Sequence, residues 1–579
     1  MTKVHYKIIV VLLLTINTLL SNTYRSYGQN CGCTVTFKKS QAVNGVNILD
    51  GRKAPYNRLK PGNTLCIQAG NYKELRFINF RGNGGRPITI KNCGGRVTTQ
   101  NGINILGSRH VKFSGAGTSS IKYGFKVARA RGTGLDVKGL SSNIEIENVE
   151  IQNTGFAGIM VKTDPQCNQP KTWRKNFTFY GLKIHDCYIH DTHAEGMYIG
   201  YTGGFERSGK KCGGKPIFGH LLKSVRIYDN LIVRSGWDGF QLNLAVQDVQ
   251  VYRNTVIGYG TKRVAYQNFG WSIGGGTRGK FYSNFIYQFN AYKKTGNPQN
   301  LKSSGVQVIS NQDTFFYNNV IVNSERHGIF IHNRLSSNLL NFREGYHFAN
   351  NTIVGSGNSG IFYNAASTLR REEKLNWRRV FYNNLVVAPK IRHERNRTWK
   401  SRNENFVDFN TQKMLNKAKS NTRNNVYLNS IGEAKFTRPN NLIIDARNYQ
   451  LTNGSRAINA GLNNARSFGV SADYNEARRT NTFDAGAFEY GSSSLRGGKL
   501  RVEAIATRAG NRVNFQFKFN KGGQASIVVE QLNGARVQQL YTGRIAAGTR
   551  RLDWKNARGG LYRIKIRVGN QEVSKIMKV

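Results

Sequence analysis

Two carboxylates in this chain stand in the same local frame. Glu195-Gly196-Met197-Tyr198-Ile199 and Asp238-Gly239-Phe240-Gln241-Leu242 each place an acid directly before a glycine, and each glycine opens a short run of alternating apolar residues. Carboxylates brought close together repel unless a cation or a shared proton separates them. Such a pair therefore suits either a calcium ion, which favours clustered carboxylate oxygens, or general acid–base work. Near them in sequence lie Lys162 and Tyr198, with Trp237, Gln241 and Asn243 alongside, Asp164, His190 and His193 on adjoining stretches, and Gln307 further on. The plainer alternative is that both acids only accept backbone N–H bonds at chain corners, as Asp often does. His190 within HDCYIHD has the same plain alternative.

The elements around the pair decide whether these residues meet. From residue 144 onward one phrase recurs: an aromatic or apolar residue, any residue, Asn or Asp, then alternating apolars. Its polar anchors are Asn148, Asp186, Asn230, Asn254, Asn284, Asn319, Asn351 and Asn384, at intervals of 24 to 44 residues. Strand-period alternation repeating at that spacing predicts a parallel β-solenoid, each turn burying its inward side chains against the next. A recurring asparagine predicts a stacked amide ladder. A second register runs through Gly158, Gly196, Gly239, Gly270, Gly305, Gly328 and Gly360. The first and third residues after each glycine should face inward, the second and fourth outward. Met160, Lys162, Tyr198, Gln241, Asn243, Ser272, Gln307, Phe330 and Phe362 then form one outer strip, with Glu195 and Asp238 on adjacent turns about 4.8 Å apart.

Over residues 31 to 490 this pattern resembles the right-handed parallel β-helix proteins of the pectate-lyase-like superfamily. The opening LKPGNTLCIQAGNYKEL…RPITIKNCGG looks like their first turns, and SRAINAG…FDAGAFEYG is similar to their usual ending, from which Arg456 and Asn459 depart. The last 81 residues alternate like a small sandwich, and their closing GGLYRIKI…SKIMKV resembles the C-terminal sorting domain of the type IX secretion system of Bacteroidota, without its usual proline-bearing opening. The resemblances imply an all-β chain: a right-handed parallel β-helix followed by a small C-terminal β-sandwich, handled by the type IX machinery. The expected boundaries are a signal peptide at 1–28, the coil at 29–491, a Gly/Ser linker at 492–498 and the sandwich at 499–579.

Lys3, His5 and Lys7 followed by the apolar run from Ile8 to Leu20 and Ser26-Tyr27-Gly28 read as a cleaved secretory signal. No further transmembrane stretch is expected, so the mature chain is expected outside the cell, released or held at the outer-membrane surface. Seven cysteines lie within the first 212 residues; pairs such as Cys66 with Cys93, or Cys167 with Cys212, stay open, and Cys187 reads as an apolar filler. The formal charge of +53 points to an anionic environment. Because 17 of the Lys and Arg residues, against 4 acids, sit in the last 81 positions, the charge speaks less directly about a substrate.

A basic, hydroxyl-bearing, aromatic-flanked strip suits an acidic polysaccharide. In a lyase, calcium on Glu195, Asp238 and Asp164 would hold a uronate carboxylate, Lys162 would remove the C5 proton and Tyr198 would protonate the leaving oxygen. In a hydrolase, Glu195 and Asp238 themselves would be the acid–base pair. The Asp-Asp, Gly-His-Gly and Arg-Ile-Lys set of polygalacturonases is absent. A non-catalytic adhesin gripping anionic glycans is the competing class. Export and the lack of a recognised module weigh against nucleic acid as a partner. A monomer is expected.

Overall fold

The alternation of buried and half-buried side chains along Ser142–Glu147 and along Val225–Tyr228 is the two-residue period of a strand with one face in the core. Repeated along the chain, such strands stack in parallel register. The computed structural model describes residues 31–289 except 204 and 206–208, 303–332 except 311, 341–364, 378–389, 407–409, 422–479, 482–492 and 500–579. The expected signal peptide and almost all of the expected linker lie outside these residues.

Three parallel sheets wind around a common core, making a right-handed parallel β-helix. The first runs from Val35–Phe37 through Ser142–Glu147, Thr178–His185 and Leu221–Tyr228 to Thr422–Arg423. The second runs from Phe125–Val127 through Tyr188–Thr192 and Leu231–Ser235 to Val426–Leu428, and the long strand Ile88–Thr99 joins it to the first. The third contains, among the described residues, twelve strands, from Val46–Asp50 through Ile159–Val161, Met197–Ile199 and Phe240–Leu242 to Val407–Phe409. Inward residues such as Ile146, Ile184, Ile227, Met197 and Trp271 fill one continuous core.

The asparagine ladder exists, but it starts later than the sequence pattern suggests. Asn230, Asn254, Asn284, Asn319, Asn351, Asn384 and Asn425 each accept, through Oδ1, from the backbone N–H of the preceding member of the column. The residue whose N–H reaches Asn230 is Cys187, at 3.1 Å. Asn148 and Asp186 are therefore not members. They sit one position earlier, with Asp229, in a column of left-handed corners at φ 53 to 56°. Asn and Asp tolerate that conformation, which is why the motif was off by one residue there.

Cys31 pairs with Cys93, Cys33 with Cys66 and Cys167 with Cys212, so of the pairings left open Cys167–Cys212 forms and Cys66–Cys93 does not; Cys187 is free and buried.

The C-terminal unit is an antiparallel sandwich. Val502–Ala509, Arg512–Phe519 and Gly548–Trp554 form one sheet, and Gly523–Gln531, Arg536–Ile545, Leu561–Val568 and Gln571–Lys578 form most of the other. The edge of the second sheet is completed by Ile443–Ile444, donated from the tail of the coil.

Candidate functional site

The glycine column is a steric requirement. A Cβ on Gly196 would lie 2.5 Å from the Gly239 carbonyl oxygen and 2.5 Å from Ile232 Cγ2, and Gly239, Gly270, Gly305 and Gly328 are crowded in the same way. The turns of the third sheet meet here with no room for a side chain. Residues on either side of each glycine are thereby held in register: Met160 opposite Tyr198, Tyr198 opposite Gln241, then Ser272, Gln307, Phe330 and Phe362.

The strip these residues form is not uniformly open. Gln241, Asn243, Ser272 and Gln307 are buried. Phe269, Phe330 and Phe362 form their own apolar cluster outside the coil's inner core, with His327 stacked on Phe362 at 4.6 Å. Gln307 lies two turns beyond Gln241 and reaches Ser272 Oγ at 3.5 Å. The accessible end is around Lys162 and Tyr198. Lys162 Nζ is 2.9 Å from Asp164 Oδ2 and 4.6 Å from the centre of the Tyr198 ring, with Tyr201 behind at 5.8 Å. The Tyr198 hydroxyl is hydrogen-bonded to Thr202, whose Oγ1 also accepts from Gln241 Nε2 at 3.4 Å. Burial alone would pull the Lys162 ammonium toward neutrality, but Tyr198 and Asp164 outweigh it and its pKa is raised.

Two loops leave the third sheet just after Lys162 and Ile199 and are bound to each other. Cys167–Cys212 staples them, Arg174 donates to the Gly219 and Phe205 carbonyls, and the Thr163 N–H donates to His220 Nε2 at 3.0 Å. His220 is buried and held down to about 4, so it stays neutral and can accept that bond. The stapled loops set the position of the chain beside Lys162.

Glu195 and Asp238 do lie on adjacent turns: the Gly196 N–H donates to the Asp238 carbonyl at 3.0 Å. Both side chains are buried, each 1% exposed. Burial pushes the Glu195 carboxyl up to about 7, against smaller opposing pulls from its own backbone and from Lys162, and its Oε2 has no hydrogen-bond partner. Asp238 is pushed well above the carboxylate range by burial, with the neighbouring Glu195 adding to it, although the Phe269 N–H donates to its Oδ1 at 2.8 Å.

The expected calcium ligands do not fit that ion. Calcium needs several ionised oxygens converging on one point. Asp164 is engaged by Lys162 and Asp238 by a backbone N–H, and Glu195, Asp238 and Asp164 are not among the described groups of three whose ligand atoms lie within 4.8 Å of one another. Among the described residues, the acids and histidine whose ligand atoms converge within 4.8 Å are Glu145, Glu147 and His185 on the first sheet, where Lys112 already bridges the two acids.

Other expected members separate. His190 belongs to the second sheet, with its side chain fully buried, stacked on Tyr188 at 4.3 Å and bonded to Asp191 at 2.7 Å. It is a packed residue of a different face. His193 is exposed at the corner before Glu195. Trp237 packs edge-on against Phe156, which also meets Tyr198 edge-on, so the indole supports the strip from the corner.

Two residues of the site escaped the sequence reading. Asp136 is opposite Met160, two turns before Tyr198 on the same column, and Lys138 pairs with it at 2.6 Å. Asp136 is buried and its pKa raised by that burial, with Lys138 and Lys162 opposing. The signal was present: Gly134-Leu135-Asp136-Val137-Lys138 repeats the glycine frame, ahead of the stretch in which the repeat was counted. The candidate site thus gathers Asp136, Lys138, Lys162 and Tyr198 along neighbouring turns of the third sheet, with Asp164 and Tyr201 beside Lys162.

No family model matches the chain, and no curated protein matches it. Among solved structures, it is similar to pectate lyase Pel9A, at 14% identity over 80% of this chain and 99% of that one with a TM-score of 0.42. It is also similar to the periplasmic alginate epimerase AlgG, at 12% identity over 56% and 79% with a TM-score of 0.25. The Dettilon tailspike protein gp208 is similar at 10% identity over 92% and 94% with a TM-score of 0.18. The β-helix described above rests on the strand register of this chain itself.

Proposed function

We propose that this is an exported carbohydrate-active protein that cleaves an acidic polysaccharide by β-elimination at the Lys162–Tyr198 site. The observation that carries the reading is Lys162, a charged ammonium held over Tyr198 and beside Asp164 at the accessible end of a rigid column, with Lys138 one turn away. Cations at successive turns suit the repeating charges of a uronate or sulphated chain. The raised pKa makes Lys162 a poor base and a good counter-charge, so its role is to neutralise the substrate carboxylate and stabilise the enolate. Glu195, whose carboxyl burial brings up to about 7, takes the C5 proton, and the Tyr198 phenol, which lies against that cation, gives a proton to the leaving O4 oxygen as the C4–O4 bond breaks. A hydrolase built on Glu195 and Asp238 is the second reading, because the two acids stand on adjacent turns and a raised pKa suits the acid of such a pair.

The three disulfides suit an oxidising compartment. Among the described residues no helix is long and apolar enough to cross a membrane. Export through the type IX machinery and attachment at the outer-membrane surface complete the proposal.

The test is to incubate the purified protein with pectate, alginate, chondroitin and sulphated glycans and follow the ultraviolet absorbance of unsaturated uronate. Growth of that signal, lost in Lys162→Ala, is the expected result. New reducing ends without it would replace the lyase by a hydrolase, and binding without either product would replace both by an adhesin.

A further inference from the structure

The C-terminal sandwich resembles a detachable address module, yet its contacts with the coil are those of a buried interface. We infer that coil and sandwich form a clasp that persists after the segment connecting them is cut. Anything that anchors the sandwich then also holds the coil.

Two separate sets of contacts carry this. In the first, the coil's tail completes the sandwich. Ile443 and Ile444 pair antiparallel with Met577 and Ile576, and Ile443 is fully buried among Phe515, Phe517, Trp554 and Ile564. Asn441 donates to the Ala504 carbonyl and accepts from the Ala506 N–H, both at 3.0 Å, and Lys575 pairs with Asp445. The sandwich without residues 441–445 has an unpaired strand edge and a gap in its core.

In the second set, the sandwich seals the outer face of the coil's second sheet. Leu532 and Ile576 belong to the same apolar cluster as Tyr188, Val233, Ile257 and Phe285. Arg563, paired with Glu530 at 2.6 Å and almost fully buried, lies over the Tyr188 ring at 4.9 Å. Lys126 and the Tyr188 hydroxyl donate to the Asn533 and Leu532 carbonyls at 3.5 and 3.4 Å. Apolar burial at the centre with charged contacts around it is the anatomy of a stable interface. The face so covered holds Tyr188 and His190, whereas Lys162 and Tyr198 belong with the third sheet, which these contacts do not involve.

The test uses the full chain. A protease recognition sequence is placed between Ser492 and Leu500, the folded protein is cut to completion, and the products are passed through gel filtration at physiological and at high salt. The expected result is co-elution of both pieces at both salt concentrations, with two bands on a denaturing gel. Separate elution of the sandwich from the cut wild-type protein would overturn the inference. So would co-elution in urea that is as persistent in the cut Ile443→Ser and Tyr188→Ala variants as in wild type, since the named contacts would then not carry the association.

Discussion

Replacing Glu195 by Gln tests the site through stability as well as activity. Its ordinary pKa is 4.5, and in the folded chain burial holds it at about 7. A raised carboxyl pKa means that the folded state keeps a proton the unfolded chain has already lost. Stability therefore falls as pH rises from the unfolded value through the folded one, and levels off above. Each pKa unit corresponds to about 1.4 kcal/mol, so ionising Glu195 in place costs the fold roughly 3 kcal/mol above neutrality. Glutamine keeps the shape and cannot ionise. The expected outcome is that Glu195→Gln unfolds in urea like wild type at about pH 4 and is more stable by roughly 3 kcal/mol at about pH 8, while cleavage of acidic glycans is lost. Such a trade, stability surrendered for a group poised near neutral pH, is typical of a working proton-transfer residue. Equal stabilities at both pH values would refute the claim that this carboxyl is buried and unpaired. Retained cleavage would remove it from the chemistry.

Asn319→Ala should cost about 3–5 kcal/mol in urea unfolding, since it strips partners from the Phe281 and Tyr317 carbonyls and from the Asn284 and Asn351 amides in a buried ladder. Asn425→Ala, at the part-buried end of the same ladder, should cost clearly less. Gly196→Ala should lower stability by about 2 kcal/mol or more, because its Cβ meets backbone 2.5 Å away, whereas Gly84→Ala, with open space around it, should stay within about 0.5 kcal/mol. The double variant Cys167→Ser with Cys212→Ser should raise KM for an acidic glycan several-fold with little change in the urea midpoint, because the bond staples two loops beside Lys162 and lies outside the coil core.

How much was legible in advance followed from what repeats. The β-helix was legible because each turn must bury its inward side chains against the next, which imposes alternation and a period on the sequence. The glycine column was legible for a related reason: a contact that excludes every side chain leaves one residue type. The ladder was read one residue off at Asn148 and Asp186 because asparagine and aspartate also favour the left-handed corner just before it, and sequence alone cannot tell which of the two demands a given polar residue meets.

The order of the turns also determined that Glu195, Asp238, Lys162 and Tyr198 would be neighbours, since strand register carries over from turn to turn. Only the tertiary structure decided which of them are charged and accessible. Whether a carboxyl ionises depends on the solvent around it, and solvent is excluded by packing from remote parts of the chain. That is why the pair imagined as a calcium site is buried and biased toward its neutral forms, and why His190 is a packed residue of a different face. Similarly, two isoleucines at 443 and 444 complete a sheet whose other strands lie beyond residue 522, a pairing with no local signature.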